Sequence, residues 1–307
     1  MIITNPFEII APNPDEGDSS KRRAPVAVAF GAHDPLYGSG VGADARTWIG
    51  QGVHPLAVIT RVEARNTQAL RGALQMPTEA TLRQLEALRG DTALDAIKTG
   101  LLGDVTMTRT VADALRALAD DPRVGTWLCD PELVSRSGEQ RVERAVIAAT
   151  REHLVPHAGV VVVNCYEAEL LTERQVGDRG SIRDALKALF DVGGGVVVVK
   201  GPPDERHAVD YVYDGSGVVE FGRDRVRHAQ LMGSGGVFSA AIAGRLALGD
   251  GALEAVEAAK ELITAAVSAP VRVGGGEHPV HALAPLYKRA GVAINSLERS
   301  EDPEEAS

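Results

Sequence analysis

Short apolar runs alternate with amphipathic stretches along most of the chain. The runs are rich in Val, Ile and Leu, and they are PVAVAF (25–30), PLAVIT (55–60), DAIKTG (95–100), TWLCD (126–130), GVVVVN (159–164) and GVVVVK (195–200). Apolar residues at nearly every position are typical of strands that are buried on both faces of a parallel sheet. We therefore predict a strand at each run.

The amphipathic stretches between these runs predict helices at about 42–51, 78–89, 107–119, 139–153 and 180–191. In the second stretch, Leu82, Leu85 and Leu88 recur at every third position, which places them on one face of a helix. Strands that alternate with helices are typical of βαβ units. The sequence thus predicts an α/β fold with a doubly wound sheet that helices cover.

The pattern changes after Lys200. AVDYVYD and GVVEF predict a hairpin with Asp214-Gly215 at its turn, and two helices follow at about 235–248 and 251–268. Pro, Gly and polar residues predict a flexible N-terminal arm over 1–23, and an excess of acids predicts a solvated acidic tail over 291–307. We find no linker within 24–290 and predict one domain there.

Composition narrows the possible classes. The 307 residues are 44% hydrophobic and 24% charged, which suffices for a substantial core, and the net charge of −10 argues against coating of nucleic acid. Cys129 and Cys165 are too few for a disulfide scaffold or a multi-cysteine metal cluster, and their apolar surroundings predict buried thiols. We find no signal-peptide pattern and no apolar run near the roughly 18 residues of a membrane span. We expect a cytoplasmic protein without nucleic-acid or membrane partners.

The first candidate site is GAHDPLYGSGVGAD (31–44), directly after the first predicted strand. It contains a G-x-G-x-x-A pattern, and Glu63 follows twenty residues later. Such glycines let the backbone approach a pyrophosphate and such an acid can bind a ribose, so a nicotinamide dinucleotide is one possible ligand. However, seven residues separate Phe30 from the first glycine of the pattern, Gly38. The alternative is a glycine-rich turn that opens a helix.

The second candidate site is MGSGGVFSAAIAGRL (232–246), where three glycines and a serine precede an alanine-rich helix. The start of a helix exposes unpaired N–H groups and the positive end of the helix dipole, and small residues let an anion approach them. The segment is therefore either a phosphate-binding site or a flexible entry into the helix. The chain has no Walker A motif, which excludes a P-loop NTPase.

Polar residues at the ends of predicted strands form the third candidate site. In NCYEAE, Asn164 and Glu167 follow the fifth apolar run, where they could hold a hydrated Mg²⁺ or cap a helix. Lys98 and Asp130 end two other runs. The carboxyl ends of parallel strands meet at one edge of a sheet. A cation, two acids, an amide and a glycine-rich helix start at that edge suggest phosphoryl transfer.

From about Pro25 to Leu283, the chain resembles ribokinase-like small-molecule kinases, and most closely the hydroxymethylpyrimidine/phosphomethylpyrimidine kinases of thiamine biosynthesis. The vitamin B6 kinases are near relatives. The resemblance is carried by GAHDPLYGSGVGADART, VITRVEARNT, IKTGLLGD, CDPELVSRSG, VNCYEAELL, VVKG, GSGGVFSAA and GGGEHPVHAL, in this order. It implies a three-layer α/β/α sandwich around a mostly parallel doubly wound sheet, usually a homodimer. It also implies phosphorylation of a hydroxymethylpyrimidine, its monophosphate or a related alcohol with ATP and Mg²⁺.

The resemblance also implies roles for individual residues. Asp44 matches the acid that contacts the pyrimidine, and the substrate pocket further includes Glu63, Arg65, Leu101 and Glu132. The nucleotide-binding positions are Asp130, Asn164, Lys200 and Gly201, and the metal-binding positions are Asp130 and Glu167. The catalytic anion hole, which holds the transferred phosphoryl group, is formed by Gly233, Ser234, Gly235 and Gly236.

The chain departs from the family pattern at several of these positions. Gly236 stands where the family has a Cys or an Asp that acts on the substrate hydroxyl, and HAQLM (228–232) lacks the usual Asn and Thr. Glu63, Arg65 and Glu132 are charged where the family pocket is apolar or carries an amide.

Three interpretations follow from these departures. The first is a kinase in which His33, Asp34 or Glu132 takes over as the base. The second is a catalytically silent homologue that binds a nucleotide or a pyrimidine as a sensor or partner subunit. The third is an enzyme of this fold with different chemistry, which includes the dinucleotide hypothesis.

Overall fold

The structure is a computed structural model that describes residues 23–292 except 136–137, 203–205 and 227–230. Its centre is a nine-stranded sheet with the strand order β3-β2-β1-β4-β5-β6-β7-β8-β9. The strands are β1 Val26–His33, β2 His54–Arg65, β3 Leu70–Gln75, β4 Leu94–Thr99, β5 Val124–Cys129, β6 Val160–Asn164, β7 Val196–Lys200, β8 His207–Tyr213 and β9 Val218–Asp224, and two short strands, β10 Leu231–Met232 and β11 His278–Pro279, pair separately. The six predicted strands are confirmed, as is the hairpin, which β8 and β9 form.

The sheet is mostly parallel. Six neighbouring strands, in the order β2-β1-β4-β5-β6-β7, pair in parallel. The strands β3, β8 and β9 join antiparallel at the two edges of the sheet. β3 was not predicted because most of its residues are exposed, which leaves no apolar run in the sequence.

Helices cover both faces of the sheet and complete a three-layer α/β/α sandwich, as the resemblance implies. They are α1 Gly40–Gln51, α2 Thr78–Arg89, α3 Val105–Arg116, α4 Arg144–Ala149, α5 Cys165–Thr172, α6 Arg179–Asp191, α7 Ser234–Ala247, α8 Ala252–Val267 and α9 Ala284–Arg289. A π-helical turn, Thr150–Leu154, continues α4. The stretch predicted as a helix from 139 begins as a loop, because the N–H of Arg141 donates to the Leu133 carbonyl instead of to a helical neighbour.

Alternating residues of the strands build two cores. In β1, Val28 and Phe30 join the core under α2 to α6, whereas Ala27 and Ala29 join the core under α1, α7 and α8. This two-sided burial explains why the strands are apolar at nearly every position. Cys129 and Cys165 are buried free thiols, as predicted, and burial raises the pKa of Cys129 to about 12.

The predicted arm and tail lie outside the described residues, apart from Arg23, Gly291 and Val292. Arg23 is held at the body by two hydrogen bonds of 2.6 Å to the Asp95 carboxylate. Within the described ranges, no helix has the length and apolar character needed to cross a bilayer.

The topology determines where the candidate residues meet. β1, β4, β5, β6 and β7 are consecutive neighbours in the sheet, and they all run in the same direction. Their carboxyl ends therefore share one edge, and the candidate residues at that edge are His33, Lys98, Asp130, Asn164 and Lys200.

Candidate active site

A buried lysine forms the centre of the site. Lys98 on β4 is fully buried, and its Nζ lies 3.0 Å from Asp44 Oδ1 and 3.8 Å from Glu132 Oε1. Burial lowers the pKa of Lys98, but the attraction of Asp44, Glu132 and Asp130 exceeds that effect and leaves the pKa above its ordinary value. Lys98 therefore stays charged and holds two carboxylates from separate elements at one point.

Asp44 is positioned by α1 and points toward this lysine. Its side chain is 4% exposed, and burial raises its pKa to about 7 against the opposing attraction of Lys98. The carboxyl group therefore titrates near neutral pH beside a permanent cation. In its ionised form the Asp44 carboxylate can orient a polar ligand, and it can also accept a proton from that ligand.

A second ion pair lies at the ends of β5 and β7. Lys200 Nζ is 3.3 Å from Asp130 Oδ1, and the Ser239 hydroxyl on α7 donates a short hydrogen bond to Asp130 Oδ2. Ser239 thereby ties the carboxylate at the sheet edge to the helix that begins at Ser234. No sequence signal singled out Ser239, because its contact joins segments 109 residues apart.

Asn164 and Glu167 form a capping box at the start of α5. Asn164 Oδ1 accepts a hydrogen bond from the Glu167 N–H at 3.0 Å, and Glu167 Oε2 accepts one from the Asn164 N–H at 2.8 Å. The capping interpretation is therefore confirmed. Burial also raises the pKa of Glu167 to about 7, while Lys200 opposes this shift and Asp130 adds to it. The cap thus fixes a carboxyl group in the field of the Lys200–Asp130 pair.

The donor set fits a metal ion that arrives with a phosphate ligand. Among the residues that the structure describes, no group of three or more His, Cys, Asp or Glu side chains could hold a metal. Mg²⁺ usually keeps several waters and binds to one or two carboxylates together with substrate phosphates. Asp130 and Glu167 supply two carboxylates beside Lys200, which matches this smaller requirement.

The glycine-rich segment opens α7 against the first candidate loop. Gly233 has φ +84°, and a Cβ atom there would lie 1.8 Å from the Gly38 carbonyl oxygen, so only glycine fits this crossing. Ser234, Gly235 and Gly236 form the first turn, whose N–H groups lack intrahelical acceptors. Lys200 Nζ is 3.5 Å from the position of a Cβ at Gly235. The segment has the geometry of an anion site with a cation beside it.

Glu132 occupies the space beside Gly236. Its Oε1 lies 3.7 Å from the position of a Cβ at Gly236 and 3.2 Å from that of a Cβ at Gly100. This oxygen is buried and accepts no hydrogen bond from the described residues. The backbone of Glu132 has φ +51°, an uncommon conformation for a residue with a side chain. Burial raises the pKa of its carboxyl group, and Arg141 lies 3.7 Å from its Oε2.

The other two candidate bases have different surroundings. Asp34 is fully buried, and its carboxylate accepts hydrogen bonds from Leu36 N–H, Ser39 N–H and the Ser39 hydroxyl, so it holds the turn before α1. His33 packs edge-on against Tyr37 with ring centres 5.8 Å apart. Of the three candidates, Glu132 is the one whose carboxylate lies beside Gly236.

The hairpin of β2 and β3 brings further predicted residues to the site. Glu63 and Arg65 lie on the inner face of β2, where Arg65 Nη1 approaches both Glu63 Oε2 at 3.7 Å and Ser39 Oγ at 3.4 Å. Arg61, two residues before Glu63, joins them and was missed, although the two-residue period of a strand places it on the same face. Glu63 is thus shared by two arginines, which does not suit an acid that binds a ribose hydroxyl.

The two remaining predicted residues have structural contacts. Leu101 is 5% exposed in the core, and its carbonyl accepts a hydrogen bond from the Thr60 hydroxyl. Gly201 follows Lys200, and its N–H donates to the Val209 carbonyl on β8. Both lie at the same sheet edge as the ion pairs, and the structure shows no further polar role for either.

The chain is similar to known proteins over most of its length. A family model described as phosphomethylpyrimidine kinase matches residues 34–281. The hydroxymethylpyrimidine/phosphomethylpyrimidine kinase of Synechococcus elongatus is 32% identical over 265 residues, which cover 86% of this chain and 99% of that protein. The enzyme of the same description from Streptomyces coelicolor is 33% identical, with coverage of 83% and 93%. The solved ADP complex of Bacillus subtilis pyridoxal kinase has a TM-score of 0.77 and 26% identity, and covers 85% of this chain and 98% of that chain.

Proposed function

Because the chain belongs to the phosphomethylpyrimidine kinase family, we propose that it transfers a phosphoryl group from ATP to the hydroxyl of a hydroxymethylpyrimidine or a related small alcohol, or to a phosphate oxygen of the pyrimidine monophosphate. The observation that carries this proposal is the convergence of Lys98–Asp44, Lys200–Asp130 and the glycine-rich start of α7 at one sheet edge. Phosphoryl transfer is catalysed mainly by positioning and by stabilisation of negative charge, and these groups provide both.

The nucleotide and its metal have a matching set of residues. The B. subtilis pyridoxal kinase structure is an ADP complex, which supports nucleotide binding by this chain. We assign Lys200 to the phosphates, and Asp130 and Glu167 would hold Mg²⁺. When bound, Mg²⁺ neutralises charge on the phosphate oxygens. The N–H groups of Ser234, Gly235 and Gly236 would then donate to the oxygens of the transferred group.

The reaction requires a group that accepts the proton of the substrate hydroxyl. The substrate oxygen forms a bond to the γ-phosphorus, the bond from that phosphorus to the β,γ-bridging oxygen breaks, and ADP leaves. We assign the proton to Glu132, since its Oε1 accepts no hydrogen bond from the described residues and lies next to Gly236, where the family resemblance implies a Cys or an Asp. Burial raises the pKa of this carboxyl group, and a raised pKa makes the carboxylate a stronger base for this task.

The position of Gly236 also favours a second candidate function. A glycine has no side chain to act on the substrate, and a silent homologue that binds a nucleotide or a pyrimidine would need none. Gly236→Cys distinguishes the two functions. In an active kinase that uses Glu132, the added thiol changes turnover little, whereas a protein that lost only its base gains turnover strongly.

Mass spectrometry of the products tests the proposed function directly. The protein is incubated with ATP, Mg²⁺ and either hydroxymethylpyrimidine, its monophosphate or pyridoxal. We expect a phosphorylated product at many turnovers per protein molecule. Folded protein that binds ATP but forms no product from any of the three would leave the silent homologue as the better candidate.

We further propose that the protein is a cytoplasmic homodimer with a single kinase domain over 24–290. Besides the family resemblance, two exposed apolar residues support self-association. Val62 and Leu74 pair across β2 and β3 and are 37% and 70% exposed on the outer face of that hairpin. Light scattering should give twice the chain mass of 32.3 kDa, and Leu74→Glu should shift the protein toward the monomer.

A further inference from the structure

Three charged side chains form a row on the inner face of β2. Arg61, Glu63 and Arg65 alternate with residues that face outward, and Glu63 lies between the two guanidinium groups. The arginine side chains are 18% and 15% exposed, and the Glu63 side chain is 8% exposed. The row therefore holds a net charge of +1 in a largely buried place, which a ligand of opposite charge would neutralise.

The contacts within the row are too long to satisfy the arginines. Arg61 Nε is 3.9 Å from Glu63 Oε1, and Arg65 Nη1 is 3.7 Å from Glu63 Oε2. Charge-assisted hydrogen bonds between such groups are about 2.7–2.9 Å long. The Nε atoms of both arginines are buried and donate to no acceptor in the described ranges. Glu277 offers little compensation, since its half-exposed carboxylate is 3.8 Å from Arg65.

The row borders the candidate active site at both ends. Arg65 approaches Ser39, whose neighbour Gly38 packs against Gly233 at the start of α7. At the other end, Arg61 pairs with Gln75, whose amide donates to the Leu102 carbonyl after β4. A cavity of about 410 Å³ adjoins Arg61, and its described lining includes Arg71 and Gln75 but no acid.

We propose that Arg61 and Arg65 bind an anionic group, a carboxylate or a phosphate, on the substrate whose hydroxyl is phosphorylated. A bidentate anion gives each guanidinium the short hydrogen bonds that Glu63 does not provide, and Glu63 holds both guanidiniums in place. An uncharged hydroxymethylpyrimidine cannot fill this role. The inference rests on the proposed function for the reacting hydroxyl, whereas the anion site itself is defined by the geometry of β2.

Binding measurements test the anion site without catalysis. The probes are hydroxymethylpyrimidine analogues in which the ring methyl is replaced by either a carboxylate or the neutral, isosteric carboxamide. Isothermal titration without ATP gives both dissociation constants. Hydrogen bonds to charged groups contribute about 1.5–3 kcal/mol, so we expect the carboxylate to bind roughly 10- to 100-fold more tightly than the carboxamide. Free phosphate as a competitor distinguishes a site for any small anion from one that requires the ring.

Variants of the row give effects of opposite sign. Arg61→Gln and Arg65→Gln should each reduce the preference for the carboxylate to about threefold or less, since each removes one guanidinium. Glu63→Gln should increase it, because both arginines then lack their carboxylate. Arg83→Gln, which removes an exposed guanidinium on α2, is the matched control and should leave the preference unchanged. Thermal melting shows whether each variant is folded.

The outcomes separate this inference from the proposed function. Equal binding of the two probes, no binding of either at millimolar concentration, or an unchanged preference in Arg61→Gln would each overturn the anion site. Tight binding of the carboxylate without phosphorylation in the presence of ATP and Mg²⁺ would support the anion site and count against the kinase.

Discussion

Glu132 and Gly236 are neighbours in the site. Glu132 brings a carboxylate to a place where Gly236 has no side chain. Because Oε1 lies 3.7 Å from the position of a Cβ at Gly236, the Glu132 carboxylate is in van der Waals contact with the place where a side chain on α7 would begin. The sequence pointed to Glu132 as one of three candidate bases. It could not choose among them, because the choice depends on the fold: the Asp34 carboxylate accepts hydrogen bonds from the turn before α1, whereas Glu132 Oε1 accepts none from the described residues.

Glu132→Gln should lower kcat by about 10²- to 10⁴-fold, the usual contribution of a general base, with little change in KM for ATP. The acid limb of the pH–rate profile should shift in the same variant. Adding Gly236→Cys to Glu132→Gln should restore part of the activity, since the thiol occupies the adjacent space. Glu139→Gln, an exposed acid in the same loop, is the control. A Glu132→Gln enzyme with full kcat would show that another group takes the proton.

Lys98 has a role in stability that can be separated from its role in the site. Lys98→Met leaves Asp44 and Glu132 without their shared cation and should cost about 3–5 kcal/mol in the free energy of unfolding, as is usual for one partner of a buried pair. Lys260→Met, in the buried pair with Asp210 at 2.7 Å, should cost a similar amount. Urea unfolding measures both variants, and titration of the substrate should show weaker binding for Lys98→Met only. Equal loss of binding in both would indicate a general effect of instability.

The residues predicted for the substrate pocket from their charge and from the family resemblance were an incomplete set. Glu63 and Arg65 stood out in the sequence because they are charged, whereas Arg61 was passed over on a strand whose length was underestimated. The predicted strand ended at residue 60, but β2 continues to Arg65 because β3 pairs with its extension. Arg141 and Ser239 were missed for another reason. Their contacts with Glu132 and Asp130 join loops and a helix that only the folded chain brings together.

At the scale of elements, strands and helices that lie over the cores were predictable, and the exceptions have physical causes. α2 matches its predicted range because Leu85 is buried and Leu88 packs against the core, while β3 is an edge strand whose residues are mostly exposed. α5 is eight residues long and was anticipated only as the capping pair that begins it. Buried elements need apolar residues at regular positions, and this pattern is visible in the sequence. Edge strands and short helices depend instead on neighbours that are distant in the chain.

The capping box of α5 provides a test of whether Asn164 does more than cap. Asp178 and Ser181 form an equivalent box at the exposed start of α6. Asn164→Ala and Asp178→Ala should each lower the free energy of unfolding by about 1 kcal/mol, because each removes one N-cap. Only Asn164→Ala should raise the Mg²⁺ concentration needed for half-maximal activity, since the lost cap loosens the first turn of α5, which positions the buried Glu167 carboxylate. An unchanged Mg²⁺ requirement would restrict Asn164 to its structural role.

At the scale of the whole molecule, the site concentrates acids that the fold holds out of water. Burial raises the pKa of Asp44 and Glu167 to about 7, and it also raises the pKa of Glu132 and of Asp210. The ordinary values are 3.8 for Asp and 4.5 for Glu. Compared with the unfolded chain, the folded state therefore binds protons more tightly at these acids. This preference makes the stability of the ligand-free protein depend on pH.

The sign of that dependence follows from the raised pKa values. Stability contributed by the protonated carboxyls is complete below about pH 4 and is lost as the pH rises through about 7, because the unfolded chain releases these protons first. We expect the free energy of unfolding, measured with urea and without nucleotide, to fall between pH 5 and 8 by on the order of a few kcal/mol. Asp44→Asn and Glu167→Gln should each flatten this slope, whatever they do to stability at a single pH. Asp178→Asn should not, since hydrogen bonds from Ser181 lower the pKa of that exposed acid, and its contribution is lost only in acid. A protein that becomes more stable from pH 5 to 8 would show that these carboxyls are already ionised in the fold, and Lys98 and Lys200 would then be full ion-pair partners across the whole range.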